Sequence, residues 1–289
     1  MAKPIILITG ANGQLGSALR ALEQQFPAYQ FIGADRHALP IQDEEAVNNW
    51  FNNYQPAYCI NAAAYTAVDK AETDQEQAYA INANGTGYLS AACAKNGARF
   101  IHVSTDYVFN GSSAQPYKET DPTDPINVYG ASKLKGEELS LQHNPDTIII
   151  RTAWVYSESG NNFVKTMLRL MKERPALNVV NDQVGAPTYA ADLAAAILQI
   201  IDKGQWQPGI YHYSNQGRIS WYDFAVAIRN HSGLTCEVHP IPSTQYPTPA
   251  KRPSFSLLNT EKIQSAFRLQ IPAWEESLLR CLQQLNVSA

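Results

Sequence analysis

Short apolar runs recur through the first 150 residues, and segments with helical periodicity lie between them. The runs cover residues 5–8, 30–34, 58–64, 99–103 and 147–150. Continuous β-branched and aliphatic runs of this kind are typical of strands buried on both faces of a parallel sheet. After the first run, Leu15, Ala18, Leu19 and Leu22 recur three and four positions apart, which predicts a helix packed on that sheet. The pattern therefore predicts an α/β fold with a doubly wound parallel sheet.

The regular alternation of strands and helices is lost from about residue 183. Proline becomes dense at residues 186–188 and 241–253, and aromatic residues gather at 211–213 and 221–222. Helices are still predicted at residues 192–201, 221–230 and 274–285. We therefore expect a core over residues 1–155, to which later segments return, and a smaller C-terminal α/β lobe over residues 156–289.

Three glycines follow the first apolar run with the spacing Gly-x-x-Gly-x-x-Gly, at Gly10, Gly13 and Gly16. Between a strand and a helix, such a loop brings backbone N–H groups and the positive end of the helix dipole to one point, which suits a pyrophosphate. A glycine-rich turn without a ligand is the alternative. The sequence thus predicts a Rossmann-type dinucleotide-binding core, with the C-terminal lobe binding the substrate.

The residues after the second apolar run bear on the choice of dinucleotide. Asp35 lies about 20 residues beyond the glycine loop, where an acidic residue can accept hydrogen bonds from the adenosine ribose of NAD. The adjacent Arg36 can pair with the 2′-phosphate of NADP. An ordinary surface ion pair is the alternative. The sequence leaves NADH and NADPH both open and leans to NADPH or dual use.

Tyr129 and Lys133 lie four residues apart in a segment of helical character that begins near residue 127. Positions i and i+4 share one face of a helix, so the lysine ammonium can approach the phenol and lower its pKa from the usual value of about 10. Such a tyrosine suits proton transfer. Thr105 follows the fourth run, at the strand end where open α/β sheets bind ligands. A solvated helix face and a plain loop are the alternatives when each feature is taken alone.

Composition narrows the class of protein. The chain has 289 residues, 45% hydrophobic and 17% charged, and a net charge of −4, which argues against a general nucleic-acid or anionic-membrane binder. The four cysteines contain no Cys-x-x-Cys pair, and no run approaches the ~20 apolar residues of a membrane span. We therefore expect a cytoplasmic protein with reduced thiols and no metal. The six histidines, His102 among them, show no metal-ligand spacing, and we expect each to be structural or at the surface.

Together, the glycine loop, Thr105 and the Tyr129/Lys133 pair resemble the extended short-chain dehydrogenase/reductase superfamily. More closely, the chain is similar over nearly its whole length to the dTDP-4-dehydrorhamnose reductase family. The segments that carry this resemblance are residues 10–16, 61–69, 104–109, 129–133, 151–156, 183–189, 219–222 and 249–253. The segments from Trp154 onward narrow it from the superfamily to the reductase family.

The resemblance implies a reductase of the C4 ketone of a dTDP-linked 4-keto sugar, with NADPH or NADH as cofactor and Tyr129 as proton donor. It implies a catalytic set of Thr105, Tyr129 and Lys133. The implied cofactor-binding residues are Gly10, Asn12, Gly13, Gln14, Leu15, Gly16, Asp35, Arg36, Ile41, Ala62, Ala63, Ala64, Tyr129 and Lys133. The implied substrate-binding residues are Thr66, Val68, Thr105, Asp106, Phe109, Trp154 and Arg252.

Three departures from the patterns of related enzymes refine this expectation. Tyr107 stands where sugar-nucleotide dehydratases carry the glutamate of a Thr-Asp-Glu motif, so the base for water elimination is missing. Ala18 aligns with a glutamate that builds a magnesium-bridged dimer in some members, so we expect a monomer or a weak homodimer. Residues 39–43 read Leu-Pro-Ile-Gln-Asp instead of Leu-Asp-Ile-Thr-Asp. The alternatives are a reductase or epimerase of another nucleotide sugar, and a non-catalytic cofactor-binding regulatory subunit.

Overall fold

The computed structural model describes residues 2–287. Its strands are β1 (Ile5–Thr9), β2 (Gln30–Ala34), β3 (Tyr58–Asn61), β4 (Arg99–Thr105), β5 (Ile148–Thr152), β6 (Val155–Tyr156), β7 (Ala176–Val180), β8 (Val184–Gly185), β9 (Thr188–Tyr189), β10 (Gly209–Tyr213), β11 (Ile219–Ser220) and β12 (Glu237–Ile241). Its α-helices are α1 (Gln14–Ala21), α2 (Glu44–Tyr54), α3 (Val68–Ala71), α4 (Gln75–Tyr79), α5 (Thr86–Asn96), α6 (Val128–His143), α7 (Phe163–Glu173), α8 (Ala190–Asp202), α9 (Trp221–His231), α10 (Glu261–Phe267) and α11 (Trp274–Gln284). No helix within residues 2–287 combines the length and apolar character that crossing a membrane requires.

The main sheet has six parallel strands in the order β10-β5-β4-β3-β1-β2. Four of the five apolar runs form its interior strands, and Ile6, Leu7 and Ile8 of β1 are completely buried. The run at residues 30–34 forms the edge strand β2, which is only partly buried. The strand order reverses between β1 and β3, and such a switch point opens a crevice at the carboxyl ends of the strands. The predicted Rossmann-type sheet is confirmed, and the loops after β1 and β3 meet at this crevice.

The C-terminal lobe is built mainly from segments that follow β5. Its hydrophobic core includes Tyr156, Val164, Phe224 and Leu278, and it carries the parallel pair β7–β12 together with α7, α9 and α11. Two late elements lie elsewhere: β10 is an edge strand of the main sheet, and α8 packs on α1. The lobe is therefore joined to the core by several chain crossings.

Residues 69–95 do not form one continuous helix. Helix α3 ends at Ala71, and a π-helical segment, Ala80–Gly85, joins α4 to α5. The hydroxyl of Thr86, the first residue of α5, donates to the Asn82 carbonyl at 2.9 Å, and the Asn82 side chain binds both backbone groups of Tyr65. These side-chain bonds compete with regular helical bonds, which accounts for the widened turn.

Candidate active site

The glycine loop is packed against the residues that follow β3. Gly10 has φ +66°, and a Cβ there would lie 2.7 Å from the Ala63 nitrogen. Only glycine therefore lets the loop approach the half-buried segment at Ala62 and Ala63 so closely. Gly13 caps α1 without a side-chain hydrogen bond, so the first N–H groups of the helix face the crevice. This arrangement fits the pyrophosphate of a dinucleotide.

Asp35 lies at the end of β2, beside the glycine loop. Its Oδ1 accepts from the backbone N–H groups of His37 (2.9 Å) and Ala38 (3.0 Å). Its Oδ2 accepts from Asn12 Nδ2 at 3.0 Å. The two backbone bonds hold the pKa of Asp35 below its usual range. The structure thus presents an ionised acceptor where an adenosine ribose would bind, with Arg36 directly beside it.

Three of the implied cofactor residues turn their side chains away from the crevice. Gln14 Nε2 donates to the Val155 carbonyl (3.3 Å), and its Oε1 accepts from Ser157 Oγ (3.1 Å). Leu15 and Ile41 are buried in the hydrophobic core. These residues can therefore contact a cofactor only through their main-chain atoms. The hydrogen bonds of Gln14 also connect the glycine loop to the C-terminal lobe.

Helix α6 lies directly on the turn that follows β4. Asn127 caps its start by accepting from the Gly130 N–H at 2.7 Å. A Cβ at Gly130 would lie 2.1 Å from the Tyr107 carbonyl oxygen, so only glycine permits this close packing. The packing brings Tyr129 beside Thr105, and the Tyr107 and Tyr129 rings meet edge to face at 5.7 Å.

The acidity of Tyr129 differs from the sequence-based expectation. Burial raises its pKa to about 12, the hydrogen bond with Thr105 lowers it in part, and the Asp106 charge raises it further. Lys133 was expected to lower the pKa, but its amine is bonded elsewhere. At neutral pH the phenol is therefore fully protonated, which is the form a proton donor needs.

Lys133 is buried at the centre of the site, with only 2% of its surface exposed. Its Nζ donates to the Val103 carbonyl at 2.7 Å and lies 3.3 Å from His102 Nε2. Burial lowers the pKa of Lys133 to about 8, while the Glu137 carboxylate favours its charged form. His102 and its partner Asn61 were not identified from the sequence. The only available signal was the presence of polar residues at opposed positions of two apolar strands.

Two distant segments that the resemblance linked to the substrate are joined by an ion pair. Arg252 donates to both carboxylate oxygens of Asp69, at 3.0 and 2.9 Å, and this pair lowers the pKa of Asp69. Asp69 directly follows Val68 on α3. Asn127 Nδ2 donates to the Lys251 carbonyl at 2.8 Å, which also ties this segment to the start of α6. Arg252 and Val68 therefore lie at one end of the same cleft.

The cleft itself has a volume of about 750 Å³ and extends from Tyr107 toward α7 and the β7–β12 pair. Trp221 lines it and stacks on Trp154, with ring centroids 3.7 Å apart. Trp154 has φ +49°, a backbone conformation that is costly for a residue other than glycine and that clusters at functional sites. Thr66 is exposed on the loop before α3.

Phe109 is not where a substrate contact would be. It is completely buried and stacks on Tyr117 with ring centroids 4.2 Å apart. The 3₁₀ turn at Asp106–Val108 carries the chain from the cleft edge into the core. We therefore correct the expectation and remove Phe109 from the substrate-binding set.

Ala18, the position aligned with the metal-binding glutamate of some relatives, is buried in the hydrophobic core that α1 shares with α8. Within residues 2–287, no cluster of three or more His, Cys, Asp or Glu side chains is arranged to hold a metal ion.

The family model described as the RmlD substrate binding domain matches residues 4–287. A dTDP-4-dehydrorhamnose reductase of Aggregatibacter actinomycetemcomitans is 44% identical, covering 94% of this chain and 96% of its own length. The chain belongs to the dTDP-4-dehydrorhamnose reductase family.

Two further relatives support this membership. The spore coat polysaccharide biosynthesis protein SpsK of Bacillus subtilis is 43% identical over 96% of this chain and 97% of its own length. The crystal structure of the dTDP-4-dehydrorhamnose reductase of Bacillus anthracis in complex with NADP is 39% identical, with a TM-score of 0.94 and coverage of 98% and 100%. As a member of this family, the chain is an oxidoreductase that uses NADPH or NADH.

Proposed function

We propose that the protein reduces the C4 ketone of dTDP-4-dehydrorhamnose (dTDP-4-dehydro-6-deoxy-L-mannose) to give dTDP-L-rhamnose. The observation that carries this proposal is the protonated Tyr129 phenol beside Thr105, at the edge of the large cleft that Tyr107 and Arg252 line. The names of the relatives supply the substrate, since several relatives above 40% identity over nearly the full chain are named dTDP-4-dehydrorhamnose reductases.

The proposed chemistry is a ketone reduction completed by a proton. A bound reduced nicotinamide supplies the hydride. Tyr129 gives its proton to the sugar O4, and because an alkoxide is more basic than a phenolate, the transfer is favourable even with a raised phenol pKa. The Thr105 hydroxyl donates to Asp106 at 3.0 Å, and rotation of that hydroxyl lets it stabilise the developing oxyanion.

Lys133 and Arg252 have supporting roles in this proposal. Lys133 is too deeply buried to touch the sugar, so its proposed role is to support the cofactor ribose and Tyr129, which lies one turn earlier on α6. Arg252, held by Asp69, turns a cationic guanidinium toward the cleft where a sugar diphosphate would bind. The proposal keeps Thr66, Val68, Trp154 and Asp106 as substrate-binding residues. Val68 directly precedes Asp69, which lines the cleft, and Trp154 stacks on Trp221, which also lines it.

The decisive experiment is incubation with dTDP-4-dehydrorhamnose and NADPH, followed by NMR of the product. The proposal requires one NADPH consumed for each dTDP-L-rhamnose formed. An epimerase would instead recycle its cofactor and consume none. A regulatory subunit would turn over no nucleotide sugar. Either of those two results would overturn the proposal.

A further inference from the structure

Three buried side chains contact one another in series: Asn61, His102 and Lys133. His102 is completely buried between Asn61 and Lys133. Its Nδ1 lies 3.1 Å from Asn61 Nδ2, and its Nε2 lies 3.3 Å from Lys133 Nζ. Asn61 and His102 are opposed in the parallel register of β3 and β4, so the sheet itself sets the first contact.

The orientation of the Asn61 amide follows from its other partners. The Ala63 backbone N–H, which can only donate, lies 3.2 Å from Asn61 Oδ1. Thr9 also donates to this oxygen, at 2.7 Å. Exchanging the oxygen and nitrogen would bring two donors together at Ala63. The amide nitrogen must therefore face Thr86 (3.2 Å) and His102.

The fixed amide determines the tautomer of His102. Because Asn61 presents an N–H, His102 Nδ1 must accept. Burial and the nearby Lys133 charge hold the pKa of His102 well below its usual range, so the ring is neutral and carries one proton. That proton lies on Nε2 and points at Lys133 Nζ. An ammonium opposite this N–H has no acceptor there, whereas a neutral amine can accept from it.

Other charged groups around Lys133 act in the opposite direction or are already paired. Glu137 lies one turn further along α6 and favours the ammonium, but its carboxylate is bound by Arg151 at 2.7 Å and by Ser104. Tyr129 lies one turn earlier on the same helix. Among these groups, His102 lies within 3.3 Å of the amine itself.

We propose that Asn61 and His102 are positioning residues that fix the Lys133 amine, one helical turn from Tyr129 on α6, and favour its neutral form. This inference rests on the proposed function, since Lys133 matters as a partner of Tyr129 only in an enzyme that uses the phenol. Asn61 sets the His102 tautomer, and the tautomer sets which protonation state of Lys133 is favoured.

The first test needs no activity. Nitrogen-15 NMR of the histidine rings distinguishes the two neutral tautomers, and His102→Gln identifies the His102 signals by their loss. We expect a neutral ring with the proton on Nε2 from pH 6 to pH 9. A proton on Nδ1, or a ring that becomes charged in this range, would overturn the inference whatever the enzyme's substrate.

The second test reverses the chain of hydrogen bonds. Asn61→Asp keeps an acceptor for Thr9 and Ala63 but places a carboxylate oxygen opposite His102 Nδ1, which moves the ring proton to Nδ1 and leaves Nε2 as an acceptor for the ammonium. His102→Gln offers an amide oxygen to Lys133 without adding charge. We expect both variants to raise the pH at which Lys133 loses its proton by one unit or more, in an NMR titration of lysine Cε assigned with Lys133→Arg.

The matched control is His212→Gln. His212 is the other completely buried histidine of the main sheet, and its Nδ1 lies 3.0 Å from the Tyr117 carbonyl, not near the amine. This variant should leave the Lys133 titration unchanged. In the active enzyme, the alkaline limb of the pH profile of kcat/KM should move to higher pH in Asn61→Asp and His102→Gln. It should not move in His212→Gln. A Lys133 titration that is unchanged in both variants would refute the positioning role.

Discussion

Asp69 and Arg252, 183 positions apart in the chain, hold each other through two hydrogen bonds of 3.0 and 2.9 Å. The pair joins α3 to the proline-rich segment of the C-terminal lobe across one end of the cleft. Because both groups are partly exposed, we expect a contribution to global stability of only ~1 kcal/mol or less. The ion pair matters more for substrate binding, because it holds the Arg252 guanidinium at the end of the cleft.

Asp69→Asn should therefore weaken substrate binding more than it weakens the fold. Loss of one charged acceptor frees Arg252 from its fork geometry, and we expect KM for the dTDP-sugar to rise about tenfold with a much smaller change in kcat. Steady-state kinetics with a thermal melt checks this. Glu138→Gln, which breaks the exposed Lys135–Glu138 pair, is the control. An unchanged KM would show that Arg252 does not need Asp69.

Tyr129→Phe removes the proton donor and retains the ring that packs on Tyr107. We expect kcat to fall by a factor of about 10²–10⁴, with the affinity for dTDP-sugar nearly unchanged. Single-turnover oxidation of NADPH measures the chemical step directly. Tyr54→Phe, at an exposed position on α2, should retain full activity. Equal rates for Tyr129→Phe and the unmodified enzyme would remove the phenol from the mechanism.

Local sequence patterns predicted the elements that carry the site. The strand at residues 30–34 has its expected bounds, and α6 begins after Asn127 as expected, because a run of apolar residues and a side-chain cap are local signals. The crevice at the switch point follows from the same alternation of elements. Local order was thus enough for the main sheet and its crevice, whereas the grouping of Tyr129 with Thr105 came from the family resemblance.

Contacts set by long-range packing could not be predicted in the same way. His102 lies within an ordinary strand pattern, and its role depends on the register with Asn61 and on where α6 crosses β4. Phe109 is near Thr105 in sequence, but one 3₁₀ turn moves it into the core. The Lys133 amine lies one turn from Tyr129 yet bonds the Val103 carbonyl instead, because burial demands an acceptor for it.

Asp35→Asn should change the choice between dinucleotides. The amide oxygen keeps an acceptor for the His37 and Ala38 N–H groups, while the negative charge that opposes a 2′-phosphate is lost. We expect Kd for NADPH to fall about tenfold relative to Kd for NADH, with Arg36 free to pair with the phosphate. Calorimetric titration of both cofactors checks the ratio. Asp43→Asn, a helix cap where asparagine serves equally well, is the control. A constant ratio would mean that Asp35 does not contact the ribose.

Asp106 should make the stability of the protein depend on pH in an unusual direction. Burial raises its pKa from 3.8 to about 6, so between about pH 4 and pH 6 the folded state holds a proton that the unfolded state has lost. The free energy of unfolding should therefore decrease as pH rises through this window, by up to about 3 kcal/mol from this group. Asp106→Asn retains an acceptor for Thr105 but cannot titrate.

Urea unfolding at pH 4 and pH 8 separates this contribution from that of other groups. The variant should gain stability relative to the unmodified protein at pH 8 and lose that advantage at pH 4, since the protonated carboxyl and the amide are both neutral. Asp146→Asn, at an exposed position before β5, should show no such difference. If the Asp106→Asn difference were the same at both pH values, the carboxyl would have to titrate at its ordinary pKa, and the burial argument for this group would fail.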